Sequence, residues 1–162
     1  MTTGGPVACV GIAVMDLVFD VETLPHEPIK HFASDYREVG GGPAATGAVT
    51  VARIGGEAHL WARVGDDGWG QRILNDLQAD GVRTEAVRQI TNGKSSISAV
   101  MVDRRGERMI VNFGGQGLDH DPSWLPIDGI SQFGAVLGDL RWLQGTQRAL
   151  KAARQAGVPG VL

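Results

Sequence analysis

Short apolar runs alternate with helix-like segments along most of the chain. The apolar runs cover residues 7–14, 57–64 and 133–139. Their length and their β-branched residues are typical of strands that are covered on both faces of a sheet. Segments with the pattern of helices follow at residues 44–53, 69–79 and 144–155, and a glycine closes each one. This alternation predicts an α/β fold in which a parallel sheet carries helices on both faces.

Four further segments have the more polar pattern of exposed strands. They cover residues 17–23, 30–38, 96–102 and 108–113. The last two segments predict a β-hairpin that turns at residues 104–106, because polar and apolar positions alternate on either side of a glycine turn. We therefore expect a small β-sheet lid built near residues 17–38 and 96–113. Residues 84–90 predict a short connecting strand, and residues 114–126 predict a loop.

The end of the chain has the pattern of another buried strand, at residues 158–162. Because no cap or polar tail follows this strand, we expect the sequence to be cut rather than complete. An unpaired strand edge would remain where the next strands should pair, and such an edge favours self-association or low stability.

A glycine-rich turn at residues 40–42 leads directly into the first helix-like segment. Glycines let the backbone pass close to a ligand, and Pro43 suits the first turn of a helix. The unpaired N–H groups at such a helix start can hold hydroxyl groups or an anion. An equally simple interpretation is that the glycines serve only turn geometry and close helix packing.

Two side chains near the turn are candidates for ligand binding. Asp16 follows the first apolar run, at the edge where open α/β sheets bind their ligands, so it could accept a hydrogen bond from a hydroxyl group. Its alternative role is to cap a turn or helix. Lys30 belongs to the lid, and its alternative is a solvated surface lysine.

Three other motifs do not predict a nucleotide or metal site. Asp66 and Asp67 precede a helix-like segment, and capping by aspartate explains them better than metal binding. The run GKS at residues 93–95 lacks the glycine of a P-loop, because Arg88 stands in its place. No Gly-x-Gly-x-x-Gly motif follows the first strand. We therefore expect no metal ligands in this chain.

Composition limits the function further. The 162 residues suit one domain, or one domain with a small appendage, and their net charge of −3 gives no reason to expect a nucleic acid or an anionic membrane as partner. Cys9 is the sole cysteine, which excludes an intrachain disulfide and fits a reducing cytoplasm. No apolar run reaches the ~20 residues of a membrane span, and the first residues lack the pattern of a signal peptide.

Two motifs taken together resemble those of a known family. They are GGGPAAT at residues 40–46 and RVGDDGWG at residues 63–70, and they accompany the acidic residue after the first strand and the lid strands. The chain resembles the pfkB-type carbohydrate kinases, the ribokinase-like family, from Val7 to its last residue. Within that family it is most similar to the 6-deoxy-6-sulfofructose kinases, while other ketose and nucleoside kinases remain alternatives.

The resemblance implies a ribokinase-like α/β fold and phosphoryl transfer from ATP, with Mg²⁺, to a hydroxyl group of a small-molecule sugar. By the same likeness, Asp16 accepts the sugar hydroxyl and the backbone of Gly41 and Gly42 lies against the sugar. Thr46 stands where many members carry a sugar-binding asparagine, a position at which sulfofructose kinases also have threonine. The anionic end of the sugar would be met by Lys30, Asn112 and Arg141. An ammonium, an amide and a guanidinium suit the oxygens of a sulfonate or a phosphate.

The resemblance also implies that a large part of the enzyme is absent. The family's catalytic aspartate, its anion hole and most of its ATP site lie in a C-terminal half marked by Gly-Ala-Gly-Asp, which this sequence does not contain. Residues 1–162 would be the N-terminal part of the kinase domain, with no catalytic residue of their own and no activity alone.

A homodimer through the lid strands is expected. The rival interpretations are a non-catalytic sugar-binding or dimerisation module and an unrelated α/β domain.

Overall fold

The computed structural model describes residues 4–162, which form two β-sheets and three α-helices. In chain order the strands are β1 (Val7–Val10), β2 (Val14–Asp20), β3 (Asp35–Gly41), β4 (Ala58–Gly65), β5 (Val87–Ile90), β6 (Ser96–Val102), β7 (Arg108–Phe113), β8 (Ala135–Gly138) and β9 (Gly160–Val161). The helices are α1 (Pro43–Arg53), α2 (Gly68–Ala79) and α3 (Leu143–Ala156). A short 3₁₀ helix covers Ile127–Gln132 and was not predicted from the sequence.

The larger sheet, which we call the core sheet, has the strand order β5-β4-β1-β8-β9, and all its strand pairs are parallel. The predicted parallel sheet is thus confirmed. The short strand predicted at residues 84–90 is also confirmed: it is β5, which pairs with β4 as the edge of this sheet. Burial of Val87 explains this pairing, because the residue packs into the core.

Two apolar clusters cover the two faces of the core sheet. One contains Cys9 and Leu60 with residues of α1 and α2, and the other contains Val10 and Trp61 with residues of α3. Successive residues of a strand point to opposite faces, so the helices flank the sheet on both sides, as predicted.

Burial raises the pKa of the Cys9 thiol to about 11. Among residues 4–162, no helix has the length and apolar character needed to cross a membrane.

The first strand is shorter than predicted. It ends at Val10, and just beyond it the N–H of Ile12 donates to the Asp139 carboxylate at 2.9 Å, which also lies where a Cβ atom on Gly11 would be. The apolar run resumes at Val14, but in β2 of the second sheet. The prediction that Asp16 lies just past a core strand was therefore wrong, because Asp16 lies within β2.

The second sheet, which we call the lid sheet, has the order β3-β2-β6-β7. Its central pair, β2 and β6, is parallel, and the outer pairs are antiparallel. Strands β6 and β7 begin and end at the predicted residues. Strand β3 was predicted at residues 30–38 but runs from Asp35 to Gly41, because its pairing with β2 starts opposite Asp20. Lys30 consequently lies outside any strand and is exposed.

The helix ends agree with the sequence interpretation. The carboxylate of Asp67 accepts hydrogen bonds from the N–H of Gly70 at 2.8 Å and from the N–H and hydroxyl of Ser95 at 2.9 and 2.6 Å. Asp67 therefore caps α2, as predicted, and also ties α2 to the segment before β6. Gly157 ends α3 in a left-handed conformation with a φ of 72°.

Candidate functional site

A cavity of about 600 Å³ lies between the lid sheet and the carboxyl ends of the core strands. One wall comes from the inner face of β2, β6 and β7, and the floor comes from residues that follow β1 and β8, from the end of β4 and from the start of α1. The loop at residues 114–120 closes one side. Open α/β sheets bind ligands at this edge.

The lid wall carries one row of polar side chains. Asp16 pairs with Ser98 across β2 and β6, and Ser98 pairs with Asn112 across β6 and β7. Paired residues of neighbouring strands point to the same face, and all three line the cavity. The Asn112 side-chain amide donates to the Ser98 hydroxyl at 3.1 Å. The row thus offers a carboxylate acceptor at one end and an amide at the other.

Glycine is needed beside Asp16. A Cβ atom on Gly41 would overlap the Asp16 carboxylate, whereas a Cβ atom on Gly40 would meet nothing within 4 Å. Gly42 has a φ of 95°, a conformation that side chains rarely adopt, and it lines the cavity at the start of α1. The glycine-rich turn therefore has two roles: Gly41 leaves space for the Asp16 carboxylate, and Gly42 allows the backbone to turn into α1.

A buried aspartate organises the floor. The Asp139 carboxylate is 5% exposed and accepts hydrogen bonds from four backbone N–H groups. Their donors are Ile12 at 2.9 Å, Ala44 at 3.2 Å, Arg141 at 2.8 Å and Trp142 at 3.3 Å. One side chain thus joins the end of β1, the start of α1 and the start of α3. The N–H of Ala44 is already bonded, so it is not available to hold a ligand at the start of α1.

Two arginines supply positive charge to the floor. Arg141 is exposed and lines the cavity, and its guanidinium makes no ion pair within residues 4–162. Only its backbone N–H contacts Asp139. Arg63 is 5% exposed and also lines the cavity, with its guanidinium carbon 4.2 Å from the centre of a Trp142 ring. The floor therefore carries positive charge, whereas the lid row carries a carboxylate, a hydroxyl and an amide.

The structure brings four of the sequence-predicted residues to this cavity, namely Asp16, Gly42, Asn112 and Arg141. It does not bring the other three there. Lys30 has its ammonium 5.8 Å from the Phe32 ring centre, on an exposed segment. Gly41 and Thr46 line a second cavity of about 260 Å³ between α1, α2 and β3.

Sequence reasoning missed Ser98, Asp139, Arg63 and His120 as parts of this site. A usable signal existed for Ser98, which falls in phase with Asn112 once the hairpin is predicted. Asp139 follows a short buried strand directly, which is the signal that drew attention to Asp16. Arg63 and His120 are 57 positions apart and carry no local pattern that joins them.

The acidic pair at residues 66 and 67 has a structural explanation. Within residues 4–162, no group of three or more His, Cys, Asp and Glu side chains is placed to hold a metal ion. Hydrogen bonds from Ser95 and Gly70 lower the pKa of Asp67, although its burial alone would raise that pKa. The acidic pair at 66 and 67 thus serves helix capping through Asp67.

Comparisons with known proteins all point to carbohydrate kinases. The profile described as pfkB family carbohydrate kinase matches residues 6–162. A ribokinase from Bacillus subtilis is 31% identical over 118 residues, which are 73% of this chain and 40% of that protein. A fructokinase from Vibrio alginolyticus is 35% identical over 98 residues, which are 60% of this chain and 28% of that protein.

Solved structures share the whole fold of the chain. One is the crystal structure of an Agrobacterium tumefaciens protein that is provisionally named a ribokinase. It has a TM-score of 0.91 and 37% identity, and the match covers 96% of this chain and 51% of that chain. Arabidopsis thaliana ribokinase complexed with ribose and ATP has a TM-score of 0.82 and 25% identity, covering 98% of this chain and 53% of that one. The chain spans less than half of the curated relatives and about half of the solved chains. It has the ribokinase-like α/β fold and belongs to the pfkB family of carbohydrate kinases.

Proposed function

We propose that this chain is the sugar-binding portion of an ATP-dependent sugar kinase whose substrate is a ketose with an anionic group, such as 6-deoxy-6-sulfofructose. One observation carries the proposal. A carboxylate and a guanidinium line the same cavity, Asp16 from the lid and Arg141 from the floor, and no carboxylate of residues 4–162 forms an ion pair with that guanidinium. The carboxylate suits a sugar hydroxyl, and the guanidinium suits a sulfonate or phosphate group.

The remaining proposed contacts have different support. Asn112 ends the polar row of the lid and can donate to an anionic oxygen, and Gly42 presents its backbone to the cavity. Roles for Lys30 and Thr46 rest on the resemblance to the family, because these residues do not line this cavity, and Gly41 is placed behind Asp16 without lining the cavity itself. The closeness to sulfofructose kinases is likewise a prediction, since the relatives named above are ribokinases and a fructokinase. Ribose is therefore the rival substrate.

Phosphoryl transfer itself is assigned to the whole kinase. Transfer needs a positioned nucleotide, charge neutralisation by metal ions and a base for the attacking hydroxyl. By the resemblance to the family, ATP and Mg²⁺ would be held mainly by residues outside this chain. We propose that the chain alone binds sugar and does not transfer phosphate.

Dimerisation through the lid is the second part of the proposal. Val111 alternates with the cavity-facing Ile110 and Asn112, so it points away from the cavity, and it is 64% exposed. Exposed apolar residues on one sheet face are typical of an interface. Sedimentation analysis of the chain should give a dimer that Val111→Lys converts to a monomer. A monomer for the unchanged chain would contradict this part.

Calorimetric titration tests the substrate class. The chain, shown by circular dichroism to be folded, is titrated with 6-deoxy-6-sulfofructose, fructose 6-phosphate, fructose and ribose. We expect saturable binding of an anionic ketose, and we expect Arg141→Ala to weaken it at least about tenfold, or about 1.4 kcal/mol. The matched control is Arg105→Ala in the exposed hairpin turn. Stronger binding of ribose than of every anionic ketose would replace the proposed substrate.

A nucleotide assay tests the proposed division of labour. The chain is incubated with ATP, Mg²⁺ and the sugar that it binds, and ADP formation is followed by a coupled assay. We expect no ADP above the background of a chain carrying Asp16→Asn. Sugar-dependent ADP formation that Asp16→Asn abolishes would show that the chain is a complete enzyme.

A further inference from the structure

Arg63 is a buried cation that the proposed function does not use. Its side chain stacks on Trp142, and its Nη1 donates to the carbonyl oxygen of Asp119 at 2.8 Å. Its Nε is enclosed and has no hydrogen-bond partner among the described residues. No carboxylate within residues 4–162 forms an ion pair with it. The side chain nevertheless lines the cavity.

The charge on Arg63 is costly where it stands. Burial lowers the pKa of Arg63 to about 10, and Asp119 and Asp139 oppose this shift only at a distance. The guanidinium therefore keeps its proton at neutral pH. A buried charge without an ionic partner is unfavourable, and an anion in the adjoining cavity would offset the cost.

His120 stands beside this guanidinium. Its Nδ1 lies 3.4 Å from Arg63 Nη1. A guanidinium nitrogen can only donate, so Nδ1 is the acceptor and the proton of the neutral ring belongs on Nε2. The His120 side chain is exposed and lines the cavity, so its Nε2–H is a hydrogen-bond donor for a ligand there.

The loop that carries His120 has a second attachment. Trp142 donates from its indole nitrogen to the His120 carbonyl oxygen at 3.2 Å. Arg63 is therefore not alone in holding the loop at residues 114–120. A purely structural role would leave the place of Arg63 on the cavity unexplained.

We infer that Arg63 and His120 form an anion-binding pair at the floor of the cavity, which binds the anionic group of the sugar together with Arg141. Sulfonate and phosphate share the required chemistry, because each offers several anionic oxygens to a guanidinium and an imidazole N–H. This inference rests on the proposed function and extends it to two residues that were not among the site residues predicted from the sequence.

Nuclear magnetic resonance tests the pair without depending on the sugar. The labelled chain is titrated with methanesulfonate and, as the neutral probe of matched shape, with dimethyl sulfone. We expect methanesulfonate to shift the Arg63 Nε–H signal and the His120 ring signals, and dimethyl sulfone to shift neither. Arg63→Met should abolish the shift at His120. Absence of any methanesulfonate shift at both residues would overturn the inference.

Two substitutions at the exposed His120 avoid the risk of unfolding. His120→Gln keeps a side-chain N–H donor, whereas His120→Phe removes it. In calorimetry with 6-deoxy-6-sulfofructose and fructose 6-phosphate, we expect His120→Phe and Arg63→Met to weaken binding about tenfold or more and His120→Gln to weaken it much less. Comparison of the two sugars identifies the preferred anion. If His120→Phe and Arg63→Met both bind the anionic sugar with unchanged affinity, the inference is wrong while the proposed function stands.

The same experiments separate this inference from the proposed function. If methanesulfonate shifts both residues but no anionic sugar binds, the pair is an anion site and the proposed substrate class is wrong. If the anionic sugar binds and Arg63→Met lowers the affinities for fructose and for the anionic sugar equally, Arg63 acts only in folding and the inference is wrong.

Discussion

The floor and the lid wall of the cavity hold their polar groups in different ways. Two floor groups are buried and held by several contacts: Asp139 accepts four backbone N–H groups, and Arg63 is stacked on an indole ring. In the lid row Asp16 is half-buried and Asn112 is exposed, and the Asn112 amide has a 3.1 Å bond to the Ser98 hydroxyl and a 3.4 Å contact to a carbonyl oxygen. We therefore expect a change at Asp139 to affect mainly folding, and a change beside Asp16 in the lid row to affect mainly ligand binding.

The largest effect is expected at the floor. Asp139→Ala removes the acceptor of four backbone N–H groups, all of them in buried or partly buried surroundings. Leaving several buried donors unpaired should lower the free energy of unfolding by about 3–5 kcal/mol. Urea denaturation measures the loss. Asp35→Ala at the exposed lid edge is the control and should cost less than about 1 kcal/mol. Equal losses at both sites would remove the distinction between floor and lid.

A smaller effect, on binding alone, is expected at the lid. Gly41→Ala places a Cβ atom where the Asp16 carboxylate lies, and that carboxylate can move away by rotation. We therefore expect sugar affinity to fall about tenfold, while the unfolding free energy changes by less than about 1 kcal/mol. Gly40→Ala, which meets nothing within 4 Å, should change neither quantity. A Gly41→Ala chain that binds sugar normally would show that Asp16 does not contact the sugar.

The smallest effect concerns pH. The folded-state pKa of Asp67 is lowered below its ordinary value of 3.8, so its contribution to stability is present above that value and is lost as pH falls through the folded pKa. Asp67→Asn should therefore flatten the fall in stability below about pH 4. Acid titrations followed by circular dichroism measure it. Asp66→Asn is the neighbouring control, and identical acid profiles for both variants would contradict the assignment.

The sequence predicted the elements better than it predicted the site. Strands β6 and β7 were predicted to the residue, because a period of two and a glycine turn are local signals. The end of β1 was missed because it depends on Asp139, a hydrogen-bond partner 127 positions away from Ile12. The start of β3 was missed because pairing with β2 decides it.

The site shows the same limit. Asp16, Gly42, Asn112 and Arg141 were proposed from the resemblance, and the structure places them on one cavity. Arg63 and His120 could not be joined from the sequence, because their contact arises only when β4 and the loop at residues 114–120 meet. Local patterns identify strands and turns, whereas the partners of a buried charge are set by the fold.

A diffraction structure of the chain with 6-deoxy-6-sulfofructose would test the central claim most directly. We predict that the sugar lies between the lid row and the floor, with a hydroxyl on the Asp16 carboxylate and the sulfonate within hydrogen-bond reach of Arg141. A sugar bound in the second cavity beside Thr46, or with its sulfonate turned away from Arg141, would contradict the claim that floor and lid together form one site for an anionic sugar.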